Sequence, residues 1–147
     1  IRLRDVHDWL TRRHRRQNHQ NIELNVPEHI VKRLSMQTDR LKFFLPKESF
    51  DLLEAGSRLH NCVASYGEAM KDHRKWVVLM ADKKGKLVAC LEVKGQELVQ
   101  AKLDSNKPAS RDNEINAAII AWAAETNLEI KTTDINTVAG QEISIAG

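Results

Sequence analysis

The chain has little of several features that mark common protein classes. Its 147 residues include only two cysteines, Cys62 and Cys90, which excludes a disulfide scaffold and favours a reducing compartment, while a single bridge between them stays open. No apolar run approaches the roughly 20 residues of a membrane span. Charge begins at Arg2, unlike the pattern of a signal peptide. We therefore expect no membrane partner.

Motifs for familiar chemistry are also missing. The sequence contains no Gly-rich phosphate loop of the P-loop kind, and no pair of carboxylates stands out. Its composition, 41% hydrophobic and 29% charged, is that of an ordinary folded domain rather than a disordered chain. Because the chain begins at Ile1 without a methionine, we expect it to be a piece of a longer protein that lacks its N-terminal part.

Positive charge is concentrated in the first third of the chain. The balance of Lys and Arg over Asp and Glu is +5 in residues 1–42, +1 in residues 43–104 and −3 in residues 105–147. A helix is predicted from about residue 2 to residue 20, with a narrow apolar stripe and a basic opposite side. That basic side predicts contact with DNA or RNA phosphates, although a solvated charged face is the plain alternative. The residues concerned are Arg12, Arg13, Arg15 and Arg16.

The hydrophobic pattern predicts an α+β fold: N-terminal helices, then a three-stranded antiparallel meander packed against two helices. Residues 41–45 fit either a brief strand or a packed loop, and residues 128–131 fit a short last strand. Gly56 is expected to end a short helix. The predicted helices after the first are 27–37, 49–55, 57–72 and 111–126. The predicted strands of the meander are 76–81, 87–93 and 98–103.

Nucleophilic chemistry is one interpretation of the segment around Cys62. If a helix begins at Ser57, Cys62 lies near its N-terminal end, where the helix dipole lowers a thiol pKa. Tyr66 follows four residues later on the same face, and His60 stands just before as a candidate base. The plain alternative is that Cys62 is a small buried apolar residue and His60 caps the helix.

The third predicted strand and the loop after it add two polar residues. By alternation, Gln100 faces away from Val99, Ala101 and Leu103, so it is either an ordinary solvent-facing residue or directed at a helix. If the predicted helix 57–72 packs on this sheet, Gln100 and Asn106 meet the residues around Cys62. The sequence therefore allows a polar cleft formed by His60, Cys62, Tyr66, Gln100 and Asn106.

Metal binding is a weaker interpretation of the same residues. His60, Cys62, His73 and Cys90 supply suitable ligand atoms, but their spacing matches no familiar zinc pattern. We therefore predict neither a metal site nor a cofactor.

The pattern L-H-x-C-V-x-x-Y, followed by a hairpin, a strand with a Gln and an Asn-x-Pro loop, resembles the PcfJ-like family. It is carried by Leu59, His60, Cys62, Val63, Tyr66, Gln100, Asn106 and Pro108. The resemblance covers about residues 44–127. It implies a cytoplasmic bacterial protein of conjugative plasmids, phages or related mobile elements, and it implies no particular reaction.

The charge distribution, the hydrophobic pattern and the resemblance together predict three regions of the chain and one function. Residues 1–42 are predicted to be a basic helical segment at the end of a preceding region, residues 43–131 the PcfJ-like domain and residues 132–147 a tail. We expect a binding or accessory module of mobile elements that contacts nucleic acid. The alternative is an enzyme that uses Cys62 or His60, supported by the three other members of the predicted cleft.

Overall fold

One curved sheet organises the computed structural model, which describes residues 5–6, 21–61 and 66–138. Its six strands follow in chain order across the sheet, antiparallel except for the last pair, which is parallel. The strands are β1 Met36–Gln37, β2 Leu41–Phe44, β3 Trp76–Asp82, β4 Leu87–Lys94, β5 Glu97–Lys102 and β6 Glu129–Ile130. The helices are α1 Glu28–Leu34, α2 Ser49–Leu59, α3 Gly67–Lys71 and α4 Asn113–Glu125.

The fold is α+β, as the hydrophobic pattern predicts, but the sheet is larger than the expected meander. The predicted strands correspond to β3, β4 and β5, and β1, β2 and β6 extend them. The predicted helix 27–37 ends early because Ser35 is extended, and Met36 and Gln37 pair with β2 instead. Local periodicity does not reveal β1, since two residues carry no measurable alternation, whereas the short strands allowed at 41–45 and 128–131 correspond to β2 and β6.

Two helices are present where helices 49–55 and 57–72 are predicted, but the predicted bounds are wrong. Helix α2 continues through Gly56 and ends at Leu59, and the next helix, α3, begins at Gly67. Gly56 is buried within α2, whereas the left-handed residue that ends the helix is His60, with φ 51°. Its N–H donates to the carbonyl of Gly56. Leu59 and His60 of the motif thus lie at the C-terminal end of a helix rather than at the start of one.

A β-bulge changes which residues of β5 are buried. Val93 pairs with Leu98 but Glu92 pairs with Gln100, so Val99 has no partner in the register. Leu98 and Ala101 are both fully buried, whereas Val99 is only partly buried. Strict alternation would place Leu98 on the face of Gln100, but the bulge shifts the alternation by one residue, so Leu98 is buried together with Ala101.

Helices cover both faces of the sheet. On one face Trp122 of α4 stacks on Phe43, with ring centroids 5.2 Å apart and planes 6° from parallel. The Trp122 indole N–H also donates to the Leu34 carbonyl at 2.8 Å, which ties α1 to α4. On the other face α2 packs against β4 and α3 against β3. Strand β3 is therefore apolar on both sides.

The predicted boundary after residue 42 falls inside β2, and Leu24 and Leu34 pack into the same core as the sheet. The division into three regions as a whole stays a prediction. The basic helix expected at residues 2–20, including its four arginines, lies outside the described residues except for positions 5–6.

Among the helices that the structure describes, none combines the length and apolar character needed to cross a bilayer.

Candidate functional site

A polar cleft of about 290 Å³ opens on the sheet face that α2 and α3 cover. Its floor is built from alternate residues of two paired strands: Cys90 and Glu92 of β4 lie opposite Lys102 and Gln100 of β5. Two loops supply the walls. The loop residues lining the cleft are Asn61 and Tyr66 from the α2–α3 connection and Asn106 from the turn after β5.

Tyr66 and Gln100 are brought together across the cleft. The Tyr66 hydroxyl donates to Gln100 Oε1 at 3.3 Å, although the two residues are 34 positions apart in the chain. The Lys75 ammonium lies 4.3 Å from the centre of the Tyr66 ring, in cation–π geometry. The ring is thus positioned by one hydrogen bond at its edge and one cation over its face.

Two ion pairs hold the charged residues of the floor. Lys75 Nζ lies 2.8 Å from Glu92 Oε1, and only 19% and 10% of these two side chains are exposed. Lys102 Nζ lies 2.8 Å from Asp134 Oδ1, and the second Asp134 oxygen accepts the Ala101 N–H at 3.0 Å. Each charge at the floor therefore has an opposite partner, and the cleft carries little unbalanced charge.

His60 stands at the rim of the same region. Its Nδ1 lies 2.8 Å from Asp104 Oδ1, which connects the end of α2 to the turn Asp104–Asn106. Ser105 and Asn106 both have positive φ, of 59° and 61°, a backbone conformation that Asn tolerates better than most residues. The contact between His60 and Asp104 therefore ties the turn that places Asn106 at the cleft to the end of α2.

Cys90 lies under the cleft as a buried thiol. Burial, assisted by the negative charge of Glu92, raises the pKa of Cys90 to about 12. The thiolate is the reactive form, so this side chain is chemically inert near neutral pH. Cys62, the cysteine of the nucleophilic interpretation, lies outside the described residues, as do Val63–Ser65.

The structure thus places three of the five predicted cleft residues, Tyr66, Gln100 and Asn106, on one cleft and His60 near it. That these residues form a functional site stays a prediction. Sequence reasoning missed Asn61, Glu92 and Lys102. Lys102 shares the face of Gln100 by alternation, Glu92 lies opposite Gln100 only in the register that the bulge at Val99 sets, and Asn61 reaches the cleft through the end of α2.

No metal site emerges from the described ranges, where no group of three or more His, Cys, Asp or Glu side chains is arranged to hold an ion. Two of the four residues considered as metal ligands have other surroundings. His73 packs against the Trp76 ring, with centroids 5.1 Å apart, and Cys90 is buried beneath the cleft.

Fold and site together define an α+β domain whose curved sheet carries a small polar cleft on one face. The model of the PcfJ-like protein family matches residues 2–118, which is most of the chain. The chain therefore belongs to the PcfJ-like family, as the motif around His60 and Tyr66 predicts. No curated protein and no solved structure shows a significant match to it.

Proposed function

We propose that this PcfJ-like domain is a binding module of mobile genetic elements that contacts nucleic acid, and that its cleft takes an unpaired base. The observation that carries the proposal is the lining of the cleft: three carboxamides and one tyrosine ring. The carboxamides belong to Asn61, Gln100 and Asn106.

Carboxamides suit the edges of nucleobases. Each offers two N–H donors and one carbonyl acceptor, and Asn or Gln can pair with a base through two hydrogen bonds at once. Unpaired bases are commonly held in proteins by aromatic side chains together with hydrogen bonds to their polar edges. Tyr66 supplies the aromatic ring here.

Size and charge favour a base over a larger or charged ligand. The volume of about 290 Å³ lies at the lower end of the roughly 300–1,000 Å³ of ligand pockets, so it suits one planar polar group. Glu92 and Lys102 are already neutralised by Lys75 and Asp134. A neutral group with donors and acceptors therefore fits the floor better than a free anion does.

The basic segment expected before the sheet fits the same proposal. Arg12, Arg13, Arg15 and Arg16 would add phosphate contacts to whatever the cleft holds. Plasmid, phage or conjugation systems and a cytoplasmic location belong to the proposal as well, since they follow from the resemblance alone.

None of the described contacts favours the enzyme alternative. Its nucleophile, Cys62, lies outside the described residues, and the high pKa of about 12 makes Cys90 a poor substitute. Tyr66 donates to Gln100, so its hydroxyl is used in holding the cleft together. A binding role requires no reactive group and is the simpler account of these residues.

The proposal is tested by fluorescence anisotropy with labelled single-stranded oligonucleotides of about 12 nucleotides. We expect Gln100→Ala to weaken binding by about 5- to 150-fold, since a good bidentate base contact contributes about 1–3 kcal/mol. Gln96→Ala is the matched control, because Gln96 is an exposed carboxamide in the β4–β5 turn, away from the cleft.

Two results would contradict the proposal. One is the absence of binding by the unaltered chain at low salt. The other is equal binding by the Gln100 and Gln96 variants, which would show that the cleft does not contact the base.

A further inference from the structure

The β3–β4 turn presents three lysines in a fixed arrangement. Asp82 Oδ1 accepts the backbone N–H groups of Lys84 at 2.9 Å and Lys86 at 3.0 Å, and Gly85 has the positive φ of 83° that the turn requires. Lys83, Lys84 and Lys86 are all exposed. Asp82 keeps its negative charge while it accepts these hydrogen bonds, so the five turn residues 82–86 carry a net charge of +2.

The strand register brings two further lysines to the same end of the sheet. Lys42 on β2 pairs in register with Ala81, next to the turn. Lys107 adjoins the end of β5, where its carbonyl accepts the Leu103 N–H at 2.7 Å. Neighbouring strands lie about 4.8 Å apart, so the five lysines extend over four strands and roughly 15 Å.

The ion pairs of this region leave these five lysines without carboxylate partners among the described residues. Asp104 faces His60, and Glu114 faces Arg40 at 3.2 Å. Asp39 is exposed beside Arg40 in the chain. Positive charge thus exceeds negative charge at this end, and we call Lys42, Lys83, Lys84, Lys86 and Lys107 the lysine edge.

The lysine edge lies close to the cleft. Cys90 at the cleft floor is four residues along β4 from Lys86, about 13 Å at the rise of an extended strand. Asn106, which lines the cleft, directly precedes Lys107. An oligonucleotide with one base in the cleft would therefore have neighbouring phosphates within reach of these ammonium groups.

We propose that the lysine edge binds the phosphates of a single nucleic-acid strand whose base occupies the cleft, an inference that rests on the proposed function. Lysines at such an edge act as point charges that release counterions from the strand. They contribute affinity and orientation without reading the base sequence.

The test replaces the three turn lysines together, as Lys83→Gln, Lys84→Gln and Lys86→Gln, and measures binding of a labelled single strand between about 50 and 200 mM salt. We expect affinity to fall at least about tenfold at the lower salt concentration. We also expect the slope of log affinity against log salt to shrink by about 2, at about 0.7 for each of three lost phosphate contacts.

The matched control removes the same charge elsewhere, as Lys47→Gln, Lys71→Gln and Lys94→Gln. These lysines are exposed and lie outside the lysine edge. A control variant with the unaltered slope, beside a reduced slope for the turn variant, supports the proposal. Circular dichroism on both variants checks that they are equally folded.

Three outcomes separate this inference from the proposed function. Equal losses of affinity in the turn and control variants would show that only net charge matters, and this result would overturn the inference about the lysine edge. A turn variant that binds like the unaltered chain would also overturn it, while leaving the proposed function intact. A chain that binds no single strand at all would overturn both proposals.

Discussion

The two faces of the sheet differ although the same strands build both. The face covered by α4 is buried, as Phe43, Val78, Leu91 and Trp122 show. The Trp122 indole N–H donates to the Leu34 carbonyl of α1. On the face covered by α2 and α3, the β4–β5 end carries a carboxamide, a carboxylate and an amine around a cleft. The face under α4 is closed by packing, whereas the face under α2 and α3 combines packing with an open polar cleft.

The comparison also separates stability from binding. Apolar groups on the packed face are removed from water, and their burial is the main favourable term in folding. Polar groups at the cleft exchange hydrogen bonds with water for bonds with one another, which gains little net free energy. We therefore expect substitutions on the two faces to have different consequences.

The largest expected effect is on the packed face. Trp122→Ala should lower the free energy of unfolding by about 3–5 kcal/mol, because it removes a fully buried ring and its stack on Phe43. Urea denaturation followed by circular dichroism measures the change. Trp122→Phe is the control: it keeps a ring and loses the 2.8 Å bond to Leu34, at a cost of about 1–3 kcal/mol. A loss below about 1 kcal/mol for the alanine variant would contradict this view of the packed face.

An intermediate effect is expected at Cys90, and it depends on pH. The pKa of Cys90 is about 12 in the folded chain and 9.0 without the fold's influence. The unfolded chain therefore loses the proton first, so stability is complete below pH 9 and declines as the pH rises towards 12. Unfolding free energies of the unaltered chain and of Cys90→Ala should converge or cross by about 1.4 kcal/mol between pH 7 and pH 10.

Denaturant titrations at pH 7, 9 and 10 on both proteins measure this difference. The comparison cancels the titration of Cys62 and of other groups, since both proteins contain them. A constant difference across the three values of pH would mean that Cys90 is not buried as the fold indicates.

The smallest effect is expected in the cleft. Tyr66→Phe removes the hydroxyl that donates to Gln100 at 3.3 Å and should cost no more than about 1 kcal/mol, because water can replace the lost partner in an open cleft. Thermal unfolding checks the change. A loss of unfolding free energy comparable to that of Trp122→Ala would show that the cleft is part of the structural core. The two faces of the sheet would then not differ in their contribution to stability.

Much of the fold follows from local pattern. The run Trp76–Ala81 and the alternation in Leu87–Val93 predict the central strands, and Lys94-Gly95 predicts the hairpin between β4 and β5. The long helix predicted at 111–126 corresponds to α4, Asn113–Glu125. These elements are long and periodic, so each carries its own signal.

Other features of the fold could not be predicted from the sequence, because they depend on contacts between residues far apart in the chain. Gly56 is typical of a helix end, yet the surrounding packing keeps it inside α2 and moves the cap to His60. The bulge at Val99 has no sequence signature, and it decides which residues of β5 are buried. Short strands such as β1 form only because a partner strand is present.

The candidate site divides in the same way. The sequence predicts Tyr66, Gln100 and Asn106 as site residues, because they are uncommon polar residues in an order that resembles the family's. Their meeting across 34 or more positions, and the inclusion of Glu92 and Lys102, depend on the register of β4 and β5.

By itself, the sequence determined the fold class, the central strands, the long last helix and membership of the PcfJ-like family, because each of these is written in short-range pattern or motif. Tertiary structure alone decided where the cleft lies, which charges are neutralised in it and that five lysines share one end of the sheet. The physical reason is that register and helix packing are set by contacts between residues far apart in the chain, which no local pattern encodes.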